Sequence, residues 1–136
     1  MPNSKKLNTQ NVDFFERAQF EAFILKLPAV TIVHQWGNAS VGKVGGKIFA
    51  LFSIWSDSNQ WHVSFKCSDM SFDMLPELDG ITRAKYLARA KWVDVAPNSE
   101  LSMEDVGAYI VEAHRIIASK LSKAKKQELG LDQEQF

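Results

Sequence analysis

The sequence predicts a single α+β domain: an N-terminal helix, an antiparallel β-meander, a short helix, a further strand and a long C-terminal helix. Three observations carry this. Apolar residues recur at helical spacing near both ends of the chain. Strand-like runs cluster in the middle around Gly45-Gly46, the kind of dipeptide that turns a tight hairpin. The length of 136 residues fits one domain and leaves little room for two. Helix and strand patterns are segregated along the chain rather than alternating, which indicates α+β rather than α/β.

Residues 1–10 read as a flexible tail, residues 11–130 as the domain and residues 131–136 as a second short tail. "NVDFFERAQFEAFILKLP" is expected to be helical. Asn11 is its N-cap, Pro28 its stop, and Val12, Phe15, Ala18, Ala22, Phe23 and Leu27 are its buried face. "AVTIVHQWG" is β-branched and ends on glycine; a strand and a loop both fit. A three-stranded meander follows over residues 38–67. In its last strand, "WHVSFKC", Trp61, Val63, Phe65 and Cys67 take the core face and His62, Ser64 and Lys66 the other. "SFDMLPEL" reads as a short helix, "DGITRAKYLARA" as irregular or weakly helical, and "KWVDVAP" as a strand stopped by Pro97. The closing helix spans "LSMEDVGAYIVEAHRIIASKLSKAKKQELGL". Ser102 and Asp105 form its capping pair, Val106, Ile110, Ala113, Ile117 and Leu121 its apolar stripe, and Gly130 its end.

Composition narrows the function classes. Sixteen basic and sixteen acidic residues cancel, so global charge announces neither nucleic acid nor membrane. Nine Phe and four Trp argue against wholesale disorder. Cys67 is the one cysteine, which excludes an intrachain disulfide and a cysteine-rich metal site. The opening residues lack an apolar run behind their lysines, and no uninterrupted apolar stretch approaches the roughly 18 residues of a membrane span. A cytoplasmic protein, more readily a monomer than an oligomer, is expected.

"SVGKVGGKIFALFS" invites a phosphate-loop reading, and its chemistry refuses it. A P-loop runs G-x-x-x-x-G-K-[ST] from strand into helix. Here Ile48 follows Lys47, so no hydroxyl is placed for magnesium, and the run after it suits a strand. Gly45-Gly46 is therefore expected to turn the hairpin, with Lys47 pointing out of the core. His34, His62 and His114 lack metal-ligand spacing, and Cys67 alternates with core residues, so it reads as a buried thiol. Asp69, Asp73, Glu77 and Asp79 read as caps and solvated acids. Neither a nucleophile–base–orienter set nor a cofactor or metal site can be assembled, so no enzymatic activity is expected.

One constellation points to a ligand. Arg83, Lys85, Arg89 and Lys91 crowd together with Tyr86 and Trp92 interleaved, and Lys43, Lys47 and Lys66 lie on the meander. Cations that meet phosphates and rings that stack on bases suit nucleic acid. The competing reading is solvated charge around a core tyrosine and tryptophan. A protein partner is the other class weighed: Trp36, Trp55 and Trp61 could form an apolar patch on the sheet.

"VGGKIFALFS", "VSFKCS", "FDML", "GI…YLARAKWV" and "LSMEDVGAYIVEAHRIIASKL" together resemble the MmcQ/YjbR family, over about Phe14 to Gly130. The resemblance implies a frataxin-like or secretion-chaperone-like α+β fold. It also implies DNA binding through a "double wing" of strand-turn-strand elements. On this chain the wings would supply Lys43, Lys47 and Lys66, and the matching loop and strand would supply Tyr86, Lys91 and Trp92. Arg83 and Lys85 stand where relatives are expected to be proline-rich, which makes this chain locally more basic.

Overall fold

The computed structural model describes residues 11–54, 59–85 and 87–131. Expectations for both tails other than Leu131, for Trp55 and for Tyr86 lie outside them. Helix α1 (Arg17–Ile24) leads into strands β1 (Val30–Gln35), β2 (Ala39–Val44), β3 (Lys47–Ser53) and β4 (His62–Lys66). Helix α2 (Asp69–Met74) continues into a 3₁₀ turn over Leu75–Glu77. Strands β5 (Ile81–Arg83) and β6 (Trp92–Val95) precede helices α3 (Met103–Ser119) and α4 (Lys123–Leu129). Among the described residues the strands form one antiparallel sheet in the order β1-β2-β3-β4-β6-β5. The α+β class and its element order stand as the sequence predicts.

The meander is larger than expected. The ambiguous "AVTIVHQWG" segment becomes edge strand β1, pairing Val30 with Val44 through to Gln35 with Ala39. Strand β5 comes from a stretch expected to be irregular or weakly helical, and pairs with β6 at Ile81–Val95 and Arg83–Val93. The hairpin itself is as expected. Val44 faces Lys47 across Gly45 and Gly46, whose φ values of +60° and +80° are the two left-handed conformations of a type I′ turn. Lys47 is exposed.

Helix α1 is shorter than its sequence pattern and starts later. Glu16, not Asn11, caps it, accepting from the backbone amides of Ala18 and Gln19. Its buried side chains are Phe20, Phe23 and Ile24, joined by Phe14 and Leu27 from the flanking turns, while Ala18 and Ala22 face solvent. The bulky aromatics decide the rotation of the helix, because burying phenylalanine removes far more apolar surface from water than burying alanine. The long C-terminal helix is two helices. Chain direction breaks at Lys120–Ser122, and Ser122 caps α4 by accepting from the amide of Lys125. Ser102 caps α3 through the amide of Asp105, and Gly130 closes α4 at φ +73°. Leu131, expected to belong to the tail, is fully buried.

The main core lies between one face of the sheet and the helices. Phe49, Phe52, Val63, Phe65, Val93 and Val95 meet Val106, Ile110 and Ala113 of α3 and Phe20 and Ile24 of α1. Tyr109 stacks on Phe65 with centroids 5.7 Å apart. His114 is buried. Its ring stands edge-on to Phe49 at 5.3 Å, and Nε2 lies 2.8 Å from the Pro28 carbonyl.

Burial depresses the His114 pKa below the ordinary imidazole value, with the bond to Pro28 opposing that in part. Between the folded and unfolded values the unfolded chain binds more protons, so stability rises with pH through that window and levels off above about 6.5. Urea midpoints measured between pH 5 and 8 should show this rise, and His114→Gln should flatten it.

Cys67 is buried at the end of β4, as expected, with its thiol 3.4 Å from the Lys91 carbonyl. Burial pushes its pKa up to about 11. Native protein at pH 8 should therefore react with a thiol reagent only at its opening rate. Cys67→Ser should cost about 1–2 kcal/mol in urea denaturation, because a hydroxyl replaces a packed sulfur.

Candidate nucleic-acid interface

Antiparallel pairing converts distant sequence positions into neighbours. Strand β2 ends and β3 begins at the Gly45-Gly46 turn. Strand β4 runs back so that Phe65 faces Ala50, and Lys66 therefore sits toward the turn end of the sheet. Lys66 faces Trp92 at the start of β6, and Arg83 faces Val93 at the end of β5. Lys43, Lys47, Lys66, Arg83, Lys85, Arg89, Lys91 and Trp92 thus all belong to one end of the sheet. The C-terminal end of α3 reaches the same place: a Cβ added to Gly45 would lie 2.6 Å from Leu121. Lys120 stands beside it and is exposed.

The gathered residues are not equivalent. Lys47, Arg83, Lys85 and Arg89 are exposed, and Lys43 and Lys91 are half-buried. Arg83 and Lys91 share one ring. The Arg83 guanidinium carbon lies 4.7 Å, and the Lys91 ammonium 5.0 Å, from the Phe72 centroid. Arg83 also lies 3.9 Å from Asp73, an exposed pair that binds weakly. Asp69 and Asp73, at the start and near the end of α2, are therefore the acids that interrupt this surface.

Lys66 is the correction. Expected as a wing cation on an open strand face, it is only 9% exposed, and its ammonium donates to the Ala90 carbonyl. Burial lowers its pKa, and the positive charges of Lys120 and Lys91 lower it further. Lys66 ties Ala90 to the sheet, and the surface cations are its neighbours. Its partners on that strand face are also buried, against the half-exposed alternation expected: His62 is 7% and Ser64 4% exposed.

The cause lies in the connection between β5 and β6. Ala84 donates its amide to the Trp92 carbonyl, and Ala84 and Leu87 pack with Trp92, Val41 and Leu51 into a second, smaller core across this face. Trp92 is buried, at 4% exposure. Asp94 then satisfies the polar groups beneath. One carboxylate oxygen lies 2.5 Å from His62 Nδ1, and the other accepts from Ser64 Oγ at 2.8 Å. These bonds run His–Asp–Ser with the carboxylate in the middle. A nucleophilic triad puts the imidazole there, so the cluster matches a structural clasp and not a hydrolytic site.

Trp61 stacks on Phe52 at 4.8 Å under the Arg17 guanidinium, and Trp36 is 46% exposed in the β1–β2 turn. On α1, burial would raise the Glu21 pKa, but hydrogen bonds from Ser40 and His34 and the Arg17 charge hold it below the usual carboxylate range. Among the described residues no group of three or more His, Cys, Asp or Glu side chains could hold a metal ion, and no helix is long and apolar enough to cross a membrane.

The family model named YjbR matches residues 25–116, which takes in the sheet, α2 and most of α3. The chain belongs to the YjbR family. A crystal structure of Deinococcus radiodurans protein DR2400, with the family-model domain DUF419, superposes with a TM-score of 0.74. It is 22% identical, over 85% of this chain and 89% of that one, and it confirms the YjbR fold. No curated protein matches the sequence. Sequence reasoning about this YjbR chain missed Lys120 as a member of the basic end. Its signal is present in the lysine-rich run after Ser119, which equally suits the C-terminus of a helix.

Proposed function

We propose that this chain is a non-enzymatic DNA-binding protein whose contact surface is the hairpin end of its sheet. The observation that supports the reading is the register. It collects Lys43, Lys47, Arg83, Lys85, Arg89 and Lys91 from three strands and a connection, and α3 adds Lys120. The β2–β3 hairpin would form one wing and the β5–β6 connection the other. The rigid sheet positions the cations on backbone phosphates, and such contacts fix orientation without reading sequence. Buried Trp92 supports the connection from beneath rather than stacking on a base. Two residues thus change role from the sequence expectation: Lys66 and Trp92 act as supports.

The test is Lys47→Glu, Lys85→Glu and Arg89→Glu combined, all at exposed positions, so folding is spared. Affinity for a labelled DNA duplex should fall by at least about tenfold at low salt, and the salt slope should shrink by roughly one unit for each phosphate no longer neutralised. A folded triple variant that binds as the parent does would show that this end is not the site.

A further inference from the structure

A second surface differs from the basic end in both place and charge. Between α2 with its 3₁₀ turn and the N-terminal half of α3 lies an open groove of about 590 Å³. Met74, Leu78 and Tyr109 supply its apolar floor and wall. Glu77, Asp105 and Glu112 stand among them, and the lining contains no lysine or arginine. Met74 is 53% exposed, and Met70, one turn earlier on α2, is 70% exposed. Residues four apart share a helix face, so the two methionines extend the groove along α2.

We propose that this groove docks a protein segment carrying apolar side chains flanked by lysine or arginine. The apolar requirement comes from the methionines. Their flexible thioethers shape themselves around varied side chains, and their exposure is removed when a partner covers them. The charge requirement comes from the carboxylates. The hydrogen bond from Arg115 holds the Glu112 pKa below its usual value despite partial burial, so Glu112 stays ionised at neutral pH. Arg115 occupies it at 2.6 Å, which leaves Glu77 and Asp105, both exposed, to meet an incoming cation. An amphipathic helix laid in such a groove presents its apolar face inward and its cations to the rim. Complementary charge of this kind sets orientation and association rate as much as affinity.

The experiment uses the full chain and a labelled amphipathic Leu/Lys peptide, with an oligolysine of equal charge and a Leu/Glu peptide as controls, followed by fluorescence anisotropy. The Leu/Lys peptide should bind and both controls should fail. Met74→Lys combined with Glu77→Lys should weaken binding by at least about tenfold, while the Lys47, Lys85 and Arg89 reversals should not weaken it. Should the double variant not fold, Met70→Lys, at the most exposed site, carries the same expectation. Equal binding of oligolysine, no binding of the Leu/Lys peptide, or an unchanged affinity in the folded variant would overturn the proposal. Conversion of a dimeric parent into a monomer by the variant would overturn it too, because the occupant would then be a second copy of the chain.

Discussion

Asp94→Ala should lower the unfolding free energy by about 3 kcal/mol, read as a reduced urea midpoint at unchanged slope. The Asp94 carboxylate bonds to both His62 and Ser64, each of which is buried on the sheet face beneath the β5–β6 connection. Removing it takes one bond from each of two desolvated polar groups at once, which costs more than the bonds were worth net. Asp94→Asn keeps an acceptor and the volume, and should cost markedly less. The single losses should not add: His62→Ala together with Asp94→Ala should cost less than the sum of the two, because both changes remove the same bond.

Lys66→Glu should destabilise by about 3–5 kcal/mol, the larger effect of the two. The substitution puts an anion where an ammonium donates to the Ala90 carbonyl, in a site only 9% exposed. The anion loses the donor bond and faces a carbonyl dipole of the wrong sense, and the nearby charges of Lys120 and Lys91 offset only part of that cost. Lys66→Met keeps the buried stem and loses only the donor. It should cost about 1–2 kcal/mol, the penalty of an unsatisfied carbonyl. The pair separates support from contact. If Lys66 touched DNA through a free ammonium, Lys66→Glu would leave the urea midpoint near that of the parent and abolish DNA affinity alone.

What the sequence made legible was local. Gly45-Gly46 announces its turn because two successive positive φ angles exclude most other residues, and the alternation of "WHVSFKC" follows from the pleat. The capping of α3 by Ser102 is an interaction three residues long. What stayed hidden depends on chain segments far apart. His62, Ser64 and Lys66 alternate as a solvent face should, and nothing within β4 reveals that Ala84, Leu87 and Ala88–Ala90 fold across them. The short strand β5 has only three residues, too few for periodicity to show, and exists because β6 offers it an edge. The buried face of helix α1 is ambiguous in sequence because alanines and phenylalanines both fit the helical spacing, and only the core decides which set is buried. The basic end was half legible: its cations stand out in the sequence, and their gathering required the register of β4 against β6.

The central claim is that this end of the sheet binds DNA phosphates, and the most direct measurement is the dependence of DNA affinity on salt for the unmodified protein. A labelled duplex titrated at several salt concentrations should give log K falling linearly with log salt, with a slope steeper than about −3, as expected for four or more phosphates neutralised at roughly −0.9 each. Non-specific binding of this kind should be indifferent to duplex sequence. A slope near zero, or no binding at the lowest salt, would contradict the account.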